Sequence, residues 1–274
     1  MRRAVGAPLL VTGLLAGLLA PLVLLAVWSV TRTWRYPALW PQSFGDRAVR
    51  VVTDPGSQIL SGLVTSAGIA ATVAVVSGAV GLAAGRALGL HSFPGKGFVR
   101  FALLAPVVVP GITVSLGIQV VFIHYRLADT VPGVVLAHLI PATPYATLVL
   151  AAAYTRFDTA FEDQARVLGT SPLRVLVHVT LPALRPALTV AMMLTFLISW
   201  NEYVLTLLVG GGSVTTLPLL LFSAIGSGDT ALAAALALVV SVPPLLLVGV
   251  TARALTGAGA STGSGETLAA LGRA

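Results

Sequence analysis

Long apolar runs separated by short polar segments dominate the chain. A helix needs about 20 consecutive apolar residues to cross the hydrocarbon core of a bilayer, and six segments reach that length. They are residues 7–30, 58–85, 100–125, 131–155, 187–209 and 231–253. Because the first run is longer than the roughly 7–15 apolar residues of a signal peptide, we interpret it as a retained span. The pattern therefore predicts an all-α, polytopic transmembrane bundle with six spans.

The segments between these spans divide the chain into three predicted parts. Residues 1–57 comprise the first helix and a polar, aromatic loop outside the cell, and residues 58–255 form the helical core. This core carries a charged loop at 156–186. Residues 256–274 are small and polar, which is typical of a flexible tail.

The composition agrees with a membrane protein. Of the 274 residues, 57% are hydrophobic and 9% are charged, whereas a soluble domain has about 25% charged residues. Lipid must therefore replace water around most of the exterior. The net charge of +7 comes from singly scattered basic residues, so we expect no nucleic-acid partner. The absence of cysteine excludes disulfides, thiolate metal sites and thiol catalysis.

Basic residues in the loops predict the orientation. Six spans place both termini on the same side, and cytoplasmic loops carry an excess of Lys and Arg. With the termini inside, the inner side holds Arg2, Arg3, Arg86, Lys96, Arg100, Arg156, Arg166, Arg174, Arg185, Arg253 and Arg273. The outer side holds Arg32, Arg35, Arg47, Arg50 and Arg126. We therefore predict cytoplasmic termini.

Small residues and prolines mark the predicted helices. Gly81, Gly85 and Gly89 are four residues apart, so they share one helix face and allow another backbone to approach closely. Ordinary helix packing explains this pattern better than a special function. Prolines within the third and fourth spans predict kinks; they are Pro106, Pro110, Pro141 and Pro144.

The loop at 156–186 predicts two short helices outside the membrane. Thr159 and Glu162 fit a capping box that would start the first helix, and Glu162 and Arg166 have the spacing of a favourable ion pair. Gly169 is placed to end this helix in a left-handed conformation. The second helix would begin at Ser171 and Pro172, run to about Thr180, and close at Pro182.

An apolar stripe on the first of these helices needs a covering surface. Phe157, Phe161, Ala165 and Leu168 fall on one helical face. A groove in a partner protein would bury such a face, and a lipid surface or the chain's own helical bundle would do so equally well. The spacing alone leaves both interpretations open.

This loop resembles the EAA loop of binding-protein-dependent ABC importer permeases. That pattern is Glu-Ala-Ala, three residues, Gly, nine residues, and Ile-x-Leu-Pro. Here Asp163-Gln164-Ala165 is followed by three residues and Gly169, and nine residues later by Val179-Thr180-Leu181-Pro182. Asp163, Gln164 and Val179 depart from the pattern in residue type. FPGK at 93–96 and SWNEY at 199–203 also resemble such permeases, so the similarity covers residues 58–255.

The resemblance implies a type I importer permease (MetI-like) fold in the bacterial plasma membrane. It implies two ATPase subunits that bind ATP and Mg, a second permease and an extracytoplasmic substrate-binding protein. The chain itself would bind no cofactor and catalyse no reaction. The residues that the resemblance assigns to ATPase coupling are Phe161, Glu162, Asp163, Gln164, Ala165, Arg166, Leu168, Gly169, Leu181 and Pro182.

Glu202 is the only acidic residue well inside a predicted span. Ionisable residues in a membrane usually face a bundle interior or an aqueous cavity, so Asn201, Glu202 and Tyr203 are the candidates for a translocation pathway. A structural hydrogen bond between helices is an equally good interpretation of Glu202.

The sequence lacks the patterns of an enzyme. The nearest candidate for a P-loop has Leu90 at its first glycine position and Gly97 at its Ser/Thr position. Neither an HExxH motif nor another metal-ligand spacing occurs, so we expect no metal site. A stand-alone secondary transporter or channel is the alternative class, and it would require internal repeats and charges at midplane sites.

Two substrate groups remain open. FALLAPVVVPGITVSLGIQ and TTLPLLLFSAI resemble permeases for polyamines, whereas FPGK, LADTVPGVVL and SWNEY resemble sugar permeases. We favour a polyamine-like substrate over a sugar.

Overall fold

The computed structural model describes residues 6–109, 111–247 and 249, and helices dominate it. The elements are α1 (Gly6–Ser29), β1 (Thr31–Thr33), β2 (Ser43–Phe44), α2 (Arg47–Thr53), α3 (Gln58–Leu90), α4 (Lys96–Val108), α5 (Gly111–His124), α6 (Val131–Tyr154), α7 (Ala160–Val167), α8 (Pro172–Val175), a π-helical turn (Leu176–Thr180), α9 (Leu181–Trp200), α10 (Val204–Gly210), α11 (Leu217–Gly226) and α12 (Thr230–Leu247). The two strands pair in antiparallel fashion.

The helices confirm the prediction of a polytopic membrane bundle. Four helical runs are long and apolar enough to cross a bilayer: α3, α6, the continuous stretch Pro172–Trp200, and α12. The pair α4 and α5 meets the same criterion when taken together. The first helix has 24 residues and no charged side chain, which is also sufficient by length. The described residues thus give four spans, or five with the bent pair, and α1 has the length of a sixth.

The third span is not the single helix predicted at 100–125. It consists of α4 and α5, whose axes differ in direction by 94°. Val109 after α4 is extended, with φ −74° and ψ 137°. It precedes Pro110, and a proline disfavours the helical conformation of the residue before it. The helix therefore ends there.

The fifth span differs from the prediction of 187–209 at both ends. The helical run starts at Pro172 and ends at Trp200, and α10 follows after a short break. The predicted second loop helix does not close at Pro182. The π-helical turn precedes this proline, which occupies the first turn of α9. The helix therefore continues through this proline and does not end at it.

The chain packs as two compact units. One extends up to Thr65 and includes Thr215–Pro244, and the other contains Ser66–Val214 and the described residues after Pro244. The division at 1–57 and 58–255 stays a prediction, and the tail at 256–274 lies outside the described residues.

The glycine stripe of α3 packs directly on α6, as predicted. A Cβ atom at Gly85 would lie 2.9 Å from the backbone nitrogen of Ala151, and one at Gly89 would lie 2.5 Å from Cβ of Tyr154. Real Cβ atoms do not approach so closely. The absence of side chains at these positions is therefore what brings the two backbones together.

Candidate functional site

The loop between α6 and α9 contains the short helix α7, but its first turn is not closed as predicted. The Thr159 side chain makes no capping bond. Instead, Oδ1 of Asp158 accepts a hydrogen bond from the backbone N–H of Ala160 at 2.9 Å. Glu162 does not complete a capping box because its carboxylate points into the protein.

Glu162 is the buried centre of this loop, with 1% of its surface exposed. Two nitrogens of Arg86 donate to its two carboxylate oxygens, each at 2.6 Å. The hydroxyl of Thr180 donates to Oε1 at 2.5 Å, and Arg166 donates to Oε2 at 3.1 Å. The predicted pair between Glu162 and Arg166 is thus confirmed, but it belongs to a larger network.

The surroundings of Glu162 keep it ionised. The hydrogen bonds from Arg86 lower the pKa of the Glu162 carboxyl from 4.5 to about 2. Burial acts in the opposite direction, while Thr180 and the charge of Arg166 add to the lowering. A buried carboxylate is tolerated when it is paired and hydrogen-bonded in this way.

The span predicted at 58–85 leaves Arg86 outside the helix, and this boundary is wrong. Helix α3 continues to Leu90, so Arg86 lies in its last turns. From there it reaches α7 through Glu162, and Glu162 in turn contacts Thr180 in the π-helical turn. The sequence carried a signal for this contact, namely a lone arginine at the end of an apolar helix and an acid in the charged loop at 156–186.

The opposite face of α7 is apolar and exposed. Phe161, Val167 and Leu168 are 58%, 87% and 84% exposed. A shallow cavity of about 550 Å³ lies on this face, and its lining is Ala160, Asp163, Gln164, Val167 and Leu168. The predicted stripe is only partly retained, since Phe157 instead packs edge-on against Tyr154.

The end of α7 follows the prediction. Gly169 adopts φ +81°, a left-handed conformation that glycine adopts without steric cost. Ser171 then occupies the position before α8, and Pro172 is the first residue of that helix. Leu181 and Pro182 lie in the first turn of α9 and are not part of the exposed face of α7.

The predicted pathway residues Asn201, Glu202 and Tyr203 lie in the break between α9 and α10. Glu202 is therefore not inside a continuous helix. Its Oε1 accepts a hydrogen bond from the backbone N–H of Leu205 at 3.0 Å, which satisfies one free donor at the start of α10. Asn201 donates from its side chain to the carbonyl of Leu197 at 2.9 Å. Backbone contacts thus fix both polar side chains.

His138 of α6 bridges the two helices on either side of this break. It was not among the residues predicted for the site. Its Nδ1 lies 2.8 Å from the Ser199 hydroxyl, and its Nε2 lies 2.9 Å from the Thr206 hydroxyl. Thr206 donates its own proton to the carbonyl of Glu202. It must therefore accept from Nε2–H, which leaves Nδ1 to accept from Ser199. A neutral imidazole satisfies this arrangement.

Several apolar helices long enough to cross a membrane, with a short helix bound to them through a buried ion pair, define a polytopic membrane protein. Comparison with known proteins gives the family. The profile described as "Binding-protein-dependent transport system inner membrane component" matches residues 77–256, and the chain belongs to this family. The family resemblance stated from the sequence is confirmed.

Curated relatives agree with this assignment. The putrescine transport system permease protein PotI of Escherichia coli is 28% identical over 218 residues, which are 77% of this chain and 76% of that protein. The spermidine/putrescine transport system permease protein PotC of Haemophilus influenzae is 32% identical over 185 residues, 68% of this chain and 71% of that protein. The trehalose transport system permease protein SugB of Mycobacterium tuberculosis is 28% identical over 214 residues, 76% of this chain and 78% of that protein.

A solved structure supports the fold. The chain is similar to a chain of a bacterial ABC transporter involved in the import of the acidic polysaccharide alginate, with a TM-score of 0.65 and 16% identity. The match covers 90% of this chain and 94% of the other. Family membership makes this chain a multi-pass inner-membrane transport subunit, whose partners include an ATPase and a substrate-binding protein.

Proposed function

We propose that this chain forms half of the translocation pathway of an importer for a small polyamine-like solute. A second permease completes the pathway. Two ATPase subunits bind ATP and Mg and hydrolyse the nucleotide, while this chain is not catalytic. Both termini are cytoplasmic, which puts α7 on the side where ATP is available.

The exposed face of α7 is the observation that carries the coupling role. An eight-residue helix that exposes Phe161, while a buried Glu162 fixes its other side, is suited to dock in a groove of a partner. The exposed apolar side chains would supply contact area, and the anchored carboxylate would prevent the helix from rolling. We therefore propose that α7 and Gly169 transmit the closure of the ATPase subunits to the spans.

This role is tested by replacing Phe161 with alanine in the assembled importer. We expect the ATPase subunits to dissociate more easily during purification, and substrate-loaded binding protein to stimulate ATP hydrolysis less. Phe98→Ala is the matched control, because Phe98 is also exposed, at 73%, and lies in α4. Equal ATPase retention and stimulation in both variants would contradict the coupling role. Transport by the chain without any ATPase would instead indicate a secondary transporter or channel.

Two of the relatives reported above support the polyamine-like substrate, since their names include putrescine and spermidine. A sugar importer is the second candidate, because the trehalose permease matches a similar share of this chain. The test measures uptake of labelled putrescine and trehalose by the complete importer in proteoliposomes. Competition by putrescine and not by trehalose is expected. The reverse result would identify a sugar importer.

Glu202 is the proposed pathway residue for a cationic solute. Glu202 lies in the break between α9 and α10 and not within a continuous apolar span. Its carboxylate would attract a polyamine. Glu202→Gln keeps an oxygen acceptor for the N–H of Leu205 and removes the charge. We expect it to raise the KM for putrescine while the variant still assembles with its partners. An unchanged KM would leave Glu202 a structural residue.

A further inference from the structure

The first unit contains a cationic cavity where the first span ends. The cavity has a volume of about 810 Å³ and lies between the end of α1, strand β1, the start of α2, and the turn between α11 and α12. Its charged lining residues are Arg32, Arg35, Arg47, Arg50, Asp46 and Asp229. Positive charge is therefore in excess.

Ion pairs account for only part of this charge. Arg47 donates to Asp229 at 2.5 Å, and Arg50 pairs with Asp46. Burial opposes ionisation of Asp229, but the hydrogen bond from Arg47 and the amide of Leu232 lower the pKa of its carboxyl below the ordinary value. Within residues 6–109 and 111–247, neither Arg32 nor Arg35 lies within ion-pair distance of a carboxylate. Both remain available for an anion from outside the chain.

A stacked pair of tryptophans lines this cavity at the end of α1. Trp28, in the last turn of α1, stacks on Trp34 with ring centroids 4.7 Å apart. The Thr31 hydroxyl donates to the carbonyl of Val27 at 2.7 Å, so β1 starts directly where the span ends. Tryptophan prefers the interface between hydrocarbon and water. Arg32 and Arg35 follow within a few residues, so they would lie near the lipid phosphates when α1 crosses a membrane.

The tip of the same hairpin exposes large apolar side chains. Tyr36, Leu39 and Trp40 are 98%, 87% and 76% exposed, and Phe44, which lies opposite Thr31 at the base of the hairpin, is 65% exposed. Such a patch marks an interaction surface. Here it adjoins a membrane span and lies beside unpaired arginines, which is the pattern of an interfacial membrane anchor.

We propose that the hairpin Thr31–Phe44 is a lipid-binding element of this chain. Its apolar tip inserts into the leaflet in which α1 ends, and Arg32 and Arg35 bind the phosphate of an anionic phospholipid in the cavity. This proposal requires only that α1 crosses a membrane. It does not depend on the coupling role or on the identity of the transported solute.

Tryptophan fluorescence tests this directly, because the chain has 4 tryptophans. Three of them, Trp28, Trp34 and Trp40, belong to this region, while Trp200 is 1% exposed and supplies a constant background. The complete importer is placed in nanodiscs of phosphatidylglycerol and phosphatidylcholine. Two samples are compared, in which the acyl chains of one lipid or of the other carry bromine. The total amount of bromine is the same in both. We expect brominated phosphatidylglycerol to quench the tryptophan fluorescence more than brominated phosphatidylcholine does. Each arginine should enrich phosphatidylglycerol at the hairpin about five-fold.

The variant R32Q/R35Q removes the two free charges, and R174Q is the control because Arg174 is an exposed arginine elsewhere in the chain. The excess quenching should disappear in the first variant and persist in the second. If R32Q/R35Q does not fold, the wild type is measured in about 1 M salt, where the Debye length is about 3 Å and the excess should shrink. Equal quenching by both lipids in low salt overturns the proposal. The proposal is also overturned if neither lipid quenches the fluorescence and the binding protein protects the hairpin. The hairpin would then be a protein-docking surface.

Discussion

Replacing Arg86 with methionine removes the main partner of a buried carboxylate. The pKa of Glu162, lowered from 4.5 to about 2, corresponds to roughly 3 kcal/mol of preferential stabilisation of the charged form, at about 1.36 kcal/mol per unit. Removing one partner from a buried ion pair costs about 3–5 kcal/mol. We therefore expect Arg86→Met to lower the free energy of unfolding by about 3 kcal/mol or more.

The same variant should also separate α7 from the spans. Without Arg86, the attachment of Glu162 would depend on Thr180 and Arg166 alone, and Arg166 lies on the same short helix. Loss of the bond to α3 therefore lets α7 move independently. We expect ATP hydrolysis to respond less to the loaded binding protein, even where the ATPase subunits remain bound.

The assay combines thermal melting of the purified complex with this stimulation of ATP hydrolysis. Arg156→Met is the matched control, because Arg156 is exposed and lies close to α7 in the sequence. The double variant Arg86→Met/Glu162→Gln should be less destabilised than the sum of its single changes, since it leaves no unpaired buried charge. The anchoring role of Arg86 is wrong if Arg86→Met has the same melting temperature as the control, or if the effects of the two single variants simply add.

Three further experiments test the ionisation of Glu162 and two other contacts. Because the pKa of Glu162 is lowered in the folded protein, the stability that its carboxylate contributes to the fold is complete above about pH 4.5 and is lost as the pH falls toward about 2. Melting temperatures should show this loss in the wild type and not in Glu162→Gln. Gly85→Val should prevent close packing on Ala151 and lower the yield of assembled importer, whereas Gly97→Ala, whose added Cβ meets open space, should leave the yield unchanged. His138→Phe leaves two buried hydroxyls without their partner and should cost about 1 kcal/mol; His138→Gln should recover part of that loss in the same melting assay.

The spans and the helix-ending glycine could be predicted because they depend on local chemistry. Length and apolarity alone identify a membrane helix, and the left-handed turn at Gly169 needs no tertiary contact. The same local rules explain why residues 131–155 closely match α6. For these elements, the sequence within a few turns already contains the determining interactions.

The predictions that were wrong concern residues whose partners are distant in sequence. Glu162 had a suitable local role in a capping box, but the stronger charge–charge interaction with Arg86, 76 residues earlier, determines its orientation. His138 is similar, since its partners are 61 and 68 residues away. Hydropathy also could not locate the break at Asn201, because Trp200 and Val204 on either side are as apolar as a continuous helix requires.

Helix α9 connects the two polar centres of the second unit. At its start, Thr180 bonds to Glu162, and at its end, Ser199 bonds to His138. The helix has 20 residues and contains no glycine, so at about 1.5 Å per residue it spans about 30 Å. Pro186 removes one hydrogen bond near the start of this helix, the rest runs unbroken to Trp200, and both ends are tied by buried hydrogen bonds. We therefore expect a displacement of α7 to be absorbed at Pro186 or at the break beyond Trp200, and the proposed pathway residue Glu202 lies in that break.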